Sequence, residues 1–251
     1  MVALYATRAR RPQGHLDPFR YSCKNRYSEE KANMEAALLK REFAAVLGGP
    51  LDWQARPEPE TVDSGVPDIH LPRGCLTEIF GPASSGRTTL LYSILAAATG
   101  RGELCALVDA DGAFDPESAT AAGVHLCKVL WINCANSVEN ALRATDLLVQ
   151  GGGFGIVAMD LGDAPQRTVR RISLTSWFRL RRAVENTPTV LVALARLSNA
   201  KTCASLMLEC RRERSAWSGN HPARLFRGMR VRATAVERRK ACTPVFTAKA
   251  I

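Results

Sequence analysis

The sequence has no apolar run that approaches the ~20 residues required by a membrane-spanning helix. It also lacks the basic and then apolar start of a secretory signal. We therefore expect a cytoplasmic protein with no membrane partner. None of the eight cysteines forms a C-x-x-C pair, and several lie in apolar runs. Buried, reduced thiols are favoured over a metal site or disulfides, because the scattered spacing offers no zinc-type pattern and disulfides are rare inside cells.

Acidic residues are scarce in the C-terminal part of the chain. From Leu161 onward there are 19 Lys and Arg against 5 Asp and Glu, whereas the preceding residues have 15 against 19. The net charge of +10 therefore combines +14 after this point with −4 before it. Such asymmetry is typical of a protein that binds a polyanion, most simply nucleic acid. A solvated basic surface without a ligand is the alternative.

Composition divides the chain into three parts. Residues 1–27 are basic and interrupted by proline and glycine, which predicts a disordered arm. The composition also resembles an organellar transit peptide, and an over-extended start or a flexible tail is the alternative to that. Residues 28–72 contain a predicted amphipathic helix from Ser28 to Leu47, then a proline-rich connector from Asp52 to Pro72. Residues 73–251 are predicted to form one core domain.

Apolar strands and helical segments alternate within the core. This alternation predicts an α/β fold with a mostly parallel central sheet flanked by helices. Two further strands near the C-terminus, from Ser205 to Cys210 and from Leu225 to Val236, are expected to be antiparallel. The five predicted parallel strands span residues 75–80, 104–109, 129–132, 154–160 and 189–195.

A glycine-rich stretch lies between the first of these strands and an apolar helix predicted from Thr88 to Thr99. It follows the phosphate-binding pattern G-x-x-x-x-G-K-[ST], except that Arg87 replaces the lysine. We expect it to bind ATP or ADP, with Mg²⁺ on the Thr88 hydroxyl. Arginine keeps the positive charge but has a different shape, so fast hydrolysis is not expected. The predicted phosphate contacts are Gly81, Pro82, Ala83, Ser84, Ser85, Gly86, Arg87, Thr88 and Thr89.

Asp160 ends the fourth predicted strand. A carboxylate at the C-terminal end of an apolar strand, downstream of a phosphate loop, suits a magnesium ligand that acts through water. A solvated or helix-capping aspartate is the alternative.

A long helix is predicted from Gln166 to Glu185. Its many arginines make it the first candidate surface for DNA, bound through phosphates without sequence preference. The residues assigned to nucleic acid are Arg167, Arg170, Arg171, Arg179, Arg181 and Arg182.

Several separated motifs resemble the bacterial RecA recombinase family. The RecA loop G-P-E-S-S-G-K-T-T-L is similar to G-P-A-S-S-G-R-T-T-L from Gly81. The segment D-A-E-H-A-L-D-P is similar to residues 109–116, and places Asp111 where the family has its catalytic glutamate. The side chain of Asp111 is one methylene shorter than glutamate, so its carboxylate would fall short of a water placed for glutamate. The alternative is an ordinary aspartate of a turn, without a catalytic role.

The resemblance assigns roles to three further positions. Asp160 matches the family's Walker B aspartate, and Arg196 stands where RecA has a glutamine that senses the γ-phosphate. Near the end, Arg238 and Lys240 resemble two lysines that reach the nucleotide of the adjacent subunit, which implies a homo-oligomer. A surface basic run is the alternative for this last pair.

Two features of RecA are missing. Residues 196–205 leave no room for its long glycine-rich DNA-binding loop, and the chain ends where its C-terminal domain would begin. With three altered catalytic positions, the chain resembles RecA-like accessory proteins such as the ImuA family of damage-induced mutagenesis in the bacterial SOS response. The implied function is a DNA repair or recombination accessory protein that binds DNA or a RecA-like or polymerase partner. The alternatives are a DNA-dependent, at most weak, ATPase of recombination and a protein-interaction module that docks through the helix from Ser28.

Overall fold

The structure is a computed structural model that describes residues 59–219, 222, 224–236 and 245–249. The predicted arm, the predicted helix from Ser28 to Leu47, Arg238 and Lys240 lie outside the described residues. Within the described residues, no helix is both long and apolar enough to cross a membrane.

Ten strands and five α-helices follow one another along the described chain. The strands are β1 (Thr61–Asp63), β2 (His70–Pro72), β3 (Cys75–Phe80), β4 (Cys105–Asp109), β5 (Val129–Asn133), β6 (Ile156–Asp160), β7 (Val190–Ala195), β8 (Leu206–Ser218), β9 (Leu225–Ala235) and β10 (Val245–Lys249). The helices are α1 (Arg87–Gly100), α2 (Pro116–Ala121), α3 (Val138–Gly151), α4 (Gln166–Val169) and α5 (Leu174–Val184).

The main sheet has eight strands in the order β10-β9-β8-β3-β7-β6-β4-β5. The six strands from β8 to β5 are parallel, and β8, β9 and β10 pair antiparallel. The predicted fold class is therefore confirmed.

Helices cover both faces of this sheet. Alternate residues of β7 point to opposite sides: Val192 and Leu194 join an apolar cluster that contains Leu90 of α1, whereas Leu191 and Ala193 join one that contains Trp177 of α5. Burial on both faces explains why the parallel strands read as continuous apolar runs. The carboxyl ends of β3, β4, β6 and β7 meet at one edge of the sheet.

The predicted helix from Gln166 to Glu185 was wrong as a single element, because the structure breaks it into α4 and α5. Ser173 begins the second helix: its hydroxyl oxygen accepts a hydrogen bond from the backbone N–H of Ser176 at 3.1 Å. A serine cap offers the backbone an alternative partner and favours a new helix start. The six arginines assigned to one helix therefore lie on two helices and the link between them.

The predicted connector also contains structure. β1 and β2 form a separate antiparallel hairpin, whose inward residues Val62 and Leu71 are buried in the cluster on the α1 side of the sheet. Strands of three residues are too short to show the alternation from which strands are predicted.

Candidate nucleotide site and basic surface

The loop between β3 and α1 is tightly packed at both of its glycines. A Cβ atom on Gly81 would lie 2.3 Å from the carbonyl oxygen of Cys210, and one on Gly86 would lie 2.5 Å from Cγ2 of Val231. Gly86 also has φ +90°, a left-handed conformation that favours glycine. The loop therefore requires glycine at both positions to lie against β8 and β9.

Polar groups of the loop lack partners inside the described part of the chain. The backbone N–H groups from Ala83 to Thr89 donate no hydrogen bond to another described residue. The hydroxyl of Ser85 is buried without a hydrogen-bond partner there. Unpaired N–H groups at the start of α1 attract anions, since they point along the positive end of the helix dipole. The loop can hold phosphate.

Arg87 turns inward at the start of α1. Only 7% of its surface is exposed, and its two terminal nitrogens lie 3.4 and 3.5 Å from the carbonyl oxygen of Gly162. Burial lowers the pKa of Arg87, against the opposing effect of Asp160 and Asp163. The guanidinium is therefore a buried cation among acidic side chains.

Arg196 reaches the same carbonyl from the end of β7. Its Nε donates to the oxygen of Gly162 at 2.9 Å, and its Nη2 pairs with Asp163 at 3.1 Å. The structure thus brings together Arg87 and Arg196, two of the three altered positions. Sequence reasoning assigned them separate roles and did not anticipate that they share one acceptor.

Asp160 lies at the end of β6, beside these two arginines. Its Oδ1 accepts a hydrogen bond from the backbone N–H of Gly162 at 2.7 Å. Burial raises the pKa of Asp160 to about 6. A cleft of about 50 Å³ lies beside Asp160 and Arg87. Its lining residues are Arg87, Thr88, Leu91, Tyr92, Ala113, Phe114, Asp160, Gly162, Asp163 and Leu194.

Asp111 follows β4 and does not line this cleft. Burial, followed by the charges of Asp163 and Asp109, raises the pKa of its carboxyl group. Asp109 organises this loop instead: its carboxylate accepts four backbone N–H groups, from residues 111 to 114, at 2.8 to 3.2 Å. It also accepts a hydrogen bond from Nε1 of Trp131 at 3.3 Å.

Glu78 is a second acid that sequence reasoning missed. It is fully buried in β3 and accepts hydrogen bonds from the Ser198 hydroxyl at 2.7 Å and from the backbone of Asn199 and Ala200 at 2.6 and 2.9 Å. These bonds hold the loop that follows Arg196. The available signal was a charged residue within an apolar strand, since such a charge needs partners.

The arginines predicted to bind DNA fall into two groups. Arg179 pairs with Asp146 of α3 at 2.7 Å, and Arg181 lies 3.6 Å from Glu185. The others are exposed and make no hydrogen bond to a described residue; they are Arg167, Arg170, Arg171 and Arg182.

A second basic surface lies on β8 and β9, beyond the predicted end of the first of these strands at Cys210. Arg211 pairs in register with Arg232, and Arg214 with Arg230. We call the exposed arginines of these two strands the ribbon arginines: Arg211, Arg212, Arg214, Arg227, Arg230 and Arg232.

The ribbon arginines begin at the phosphate loop. A cavity of about 360 Å³ is lined by loop residues 82–85 and by Glu209, Arg211 and Arg212 of β8. The ribbon arginines Arg211 and Arg212 therefore lie next to the phosphate loop. Sequence reasoning noted an arginine-rich sheet edge but did not place it beside the loop.

Comparison with known proteins shows similarity to one family. Residues 61–167 match the RecA N-terminal domain. Over 141 residues the chain is 38% identical to Protein RecA of Pseudomonas fluorescens (strain SBW25) and of Pseudomonas tolaasii, with 52% of this chain and 40% of each relative covered. Protein RecA of Pseudomonas putida is likewise 38% identical, with 39% of that relative covered. The chain thus spans about 40% of the length of the curated relatives it matches.

Proposed function

The core of this chain belongs to the RecA-like recombinase superfamily, and on that premise we propose that the protein is a DNA repair or recombination accessory factor. It binds DNA without sequence preference through its ribbon arginines and carries a degenerate nucleotide site. Its ligand there is ATP or ADP, and turnover is weak at most, because the loop lysine is replaced by Arg87. The ImuA-like role in damage-induced mutagenesis, with a polymerase or RecA-like partner, is part of this proposal.

One observation carries the DNA-binding proposal: two arginine pairs face each other directly across β8 and β9. Like charges at opposite positions of an antiparallel pair destabilise a sheet. Glu213 of β8 pairs with both Arg230 and Arg232 of β9, while Glu209 pairs with Arg211. Arg212 and Arg214 make no ion pair with a described residue. A bound polyanion would offset this excess charge.

Binding through phosphates predicts a strong dependence on salt. For a single strand that contacts four phosphates, affinity is expected to fall about 50-fold between 50 and 200 mM salt. Fluorescence anisotropy of a labelled oligothymidine measures this. Arg212→Glu and Arg214→Glu are each expected to weaken binding about tenfold, since each removes a phosphate contact and adds repulsion.

Arg143→Glu is the matched control, because Arg143 is an exposed arginine on α3 and the change in net charge is the same. Equal losses in the control and the ribbon variants, or affinity that ignores salt, would contradict the proposal. A larger loss from charge reversal at Arg170, Arg171 and Arg182 would move the DNA surface to α4 and α5.

A further inference from the structure

We propose that the phosphate site of this protein binds a nucleoside diphosphate or triphosphate without magnesium, because Arg87 and Arg196 take the place of the ion. This inference rests on the proposed nucleotide site and goes beyond it by naming the charge that neutralises the phosphates. A RecA-like phosphate loop implies Mg²⁺ between the loop threonine and the Walker B aspartate. The side chains around Thr88 and Asp160 do not fit that ion, for two reasons.

First, the region beside Asp160 already contains a cation. A Cβ placed on Gly162 would lie 2.9 Å from Oδ1 of Asp160 and 3.1 Å from Nη1 of Arg87. The carboxylate oxygen and the guanidinium nitrogen are therefore within about 6 Å of each other. At such a distance the guanidinium of Arg87, which is shielded from water, would repel a second cation.

Second, two positively charged side chains already lie where the ion would be held. Arg87 and Arg196 converge on the carbonyl oxygen of Gly162, next to Asp160 and Asp163. Two guanidinium groups carry the same charge as one divalent ion. Unlike a lysine ammonium, a guanidinium is not deprotonated in proteins, so this charge is permanent.

A phosphate chain would nevertheless find donors. The N–H groups of residues 83–89 and the buried Ser85 hydroxyl have no partner among the described residues. Each guanidinium has five N–H donors in a planar fork suited to phosphate oxygens. Arg87 uses its two terminal nitrogens only for long bonds to Gly162, so it has donors to spare for an anion.

Calorimetric titration of the full chain with ADP, once with magnesium and once with EDTA, tests the proposal. We expect the same Kd in both buffers, within about twofold, since no ion is part of the complex. Arg196→Gln and Arg87→Lys are each expected to weaken binding in EDTA about tenfold, the cost of one charge-assisted hydrogen bond. Arg143→Lys, on an exposed face of α3, is the matched control and should bind like the wild type.

Wild-type binding that is at least about tenfold tighter with magnesium would overturn the proposal, since an ion would then contribute to the complex. No ADP binding in either buffer would overturn it as well, and would leave the DNA-binding proposal intact, because that is measured with an oligonucleotide. Titration with Mn²⁺ alone, followed by electron paramagnetic resonance, tests independently whether the site binds a divalent ion. A bound Mn²⁺ signal that disappears in Asp160→Asn would contradict the inference even where Arg87→Lys fails to fold.

Discussion

At the scale of single residues, the positions altered from the RecA pattern act together. Arg87 and Arg196 contact one carbonyl oxygen, so the two substitutions form a single structural change around Gly162. Asp111, the third altered position, makes no hydrogen bond to these two arginines and belongs to the loop held by Asp109, although the charges of Asp163 and Arg196 act on its carboxyl group. An effect of Arg87 on the site should therefore depend on Arg196.

Asp160 provides a prediction about pH. Burial raises the pKa of its carboxyl group from 3.8 to about 6, so the folded protein binds this proton more tightly than the unfolded chain. Stability is then lost as the pH rises from about 4 to about 6, and the loss is complete above that range. At about 1.4 kcal/mol per pKa unit, ionised Asp160 costs about 3 kcal/mol at neutral pH. Asp160→Asn removes this cost.

Urea unfolding of both proteins across this range is the measurement. The variant is expected to be the more stable at pH 8 by about 2 to 3 kcal/mol and equal to the wild type near pH 4, since only the ionised carboxylate is penalised. A difference that does not change with pH would show that the carboxyl group of Asp160 has the same pKa in the folded and the unfolded protein.

Part of this site could be read from the sequence. The loop pattern identified Gly81 and Gly86, because only glycine tolerates the close approach of β8 and β9. Asp109 and Glu78 were missed because each holds backbone N–H groups of a distant or irregular segment. No periodic sequence pattern predicts such a contact. It can be recognised only when the arrangement of the strands in the sheet is known.

At the scale of elements, the parallel strands were predictable and the long hairpin was not. β3, β4, β6 and β7 are buried on both faces, so their sequences are continuous apolar runs. β8 continues eight residues past the predicted end at Cys210, to Ser218. Its arginines and the register shifts near Glu213 and Trp217 remove the alternation that marks a strand.

The outer end of this hairpin supports a prediction about base stacking. Trp217 is 54% exposed and contacts Phe226 with ring centroids 5.2 Å apart. An exposed aromatic beside the ribbon arginines, which we propose to bind phosphates, is suited to stack on an unpaired base, which is worth about 1 to 3 kcal/mol. Trp217→Ala is therefore expected to weaken binding of single-stranded DNA about tenfold.

The same anisotropy titration measures this effect. Leu225→Ala is the matched control, because Leu225 is an equally exposed apolar residue on β9 with no aromatic ring. Trp217→Phe should restore most of the affinity. Equal affinity of the alanine variant and the wild type would exclude stacking at the hairpin end.

At the scale of the whole molecule, the chain divides between Pro57 and Glu58. The apolar clusters on both faces of the sheet are built from residues of the second part. A part with its own core can fold alone. Removing residues 1–57 is therefore expected to shift the Tm of the core by less than about 4 °C, the effect of ~1 kcal/mol in a domain of this size.

Circular dichroism measures that Tm, and light scattering before and after the deletion tests the proposed docking role of the helix from Ser28 to Leu47. Loss of association with an intact core would support a homo-oligomer or partner interface there. A core that no longer folds would contradict the division at Pro57, and an unchanged mass would argue against docking through this helix.

The contact between Gly86 and Val231 has a consequence for how such a protein can change over evolution or in the laboratory. The loop glycine lies so close to β9 that even one added methyl group would meet the valine side chain. The residue at position 86 and the residue at position 231 therefore constrain each other. A chimaera that takes its loop from a relative must therefore keep glycine at position 86 wherever valine stays at position 231, or the added side chain will meet the strand.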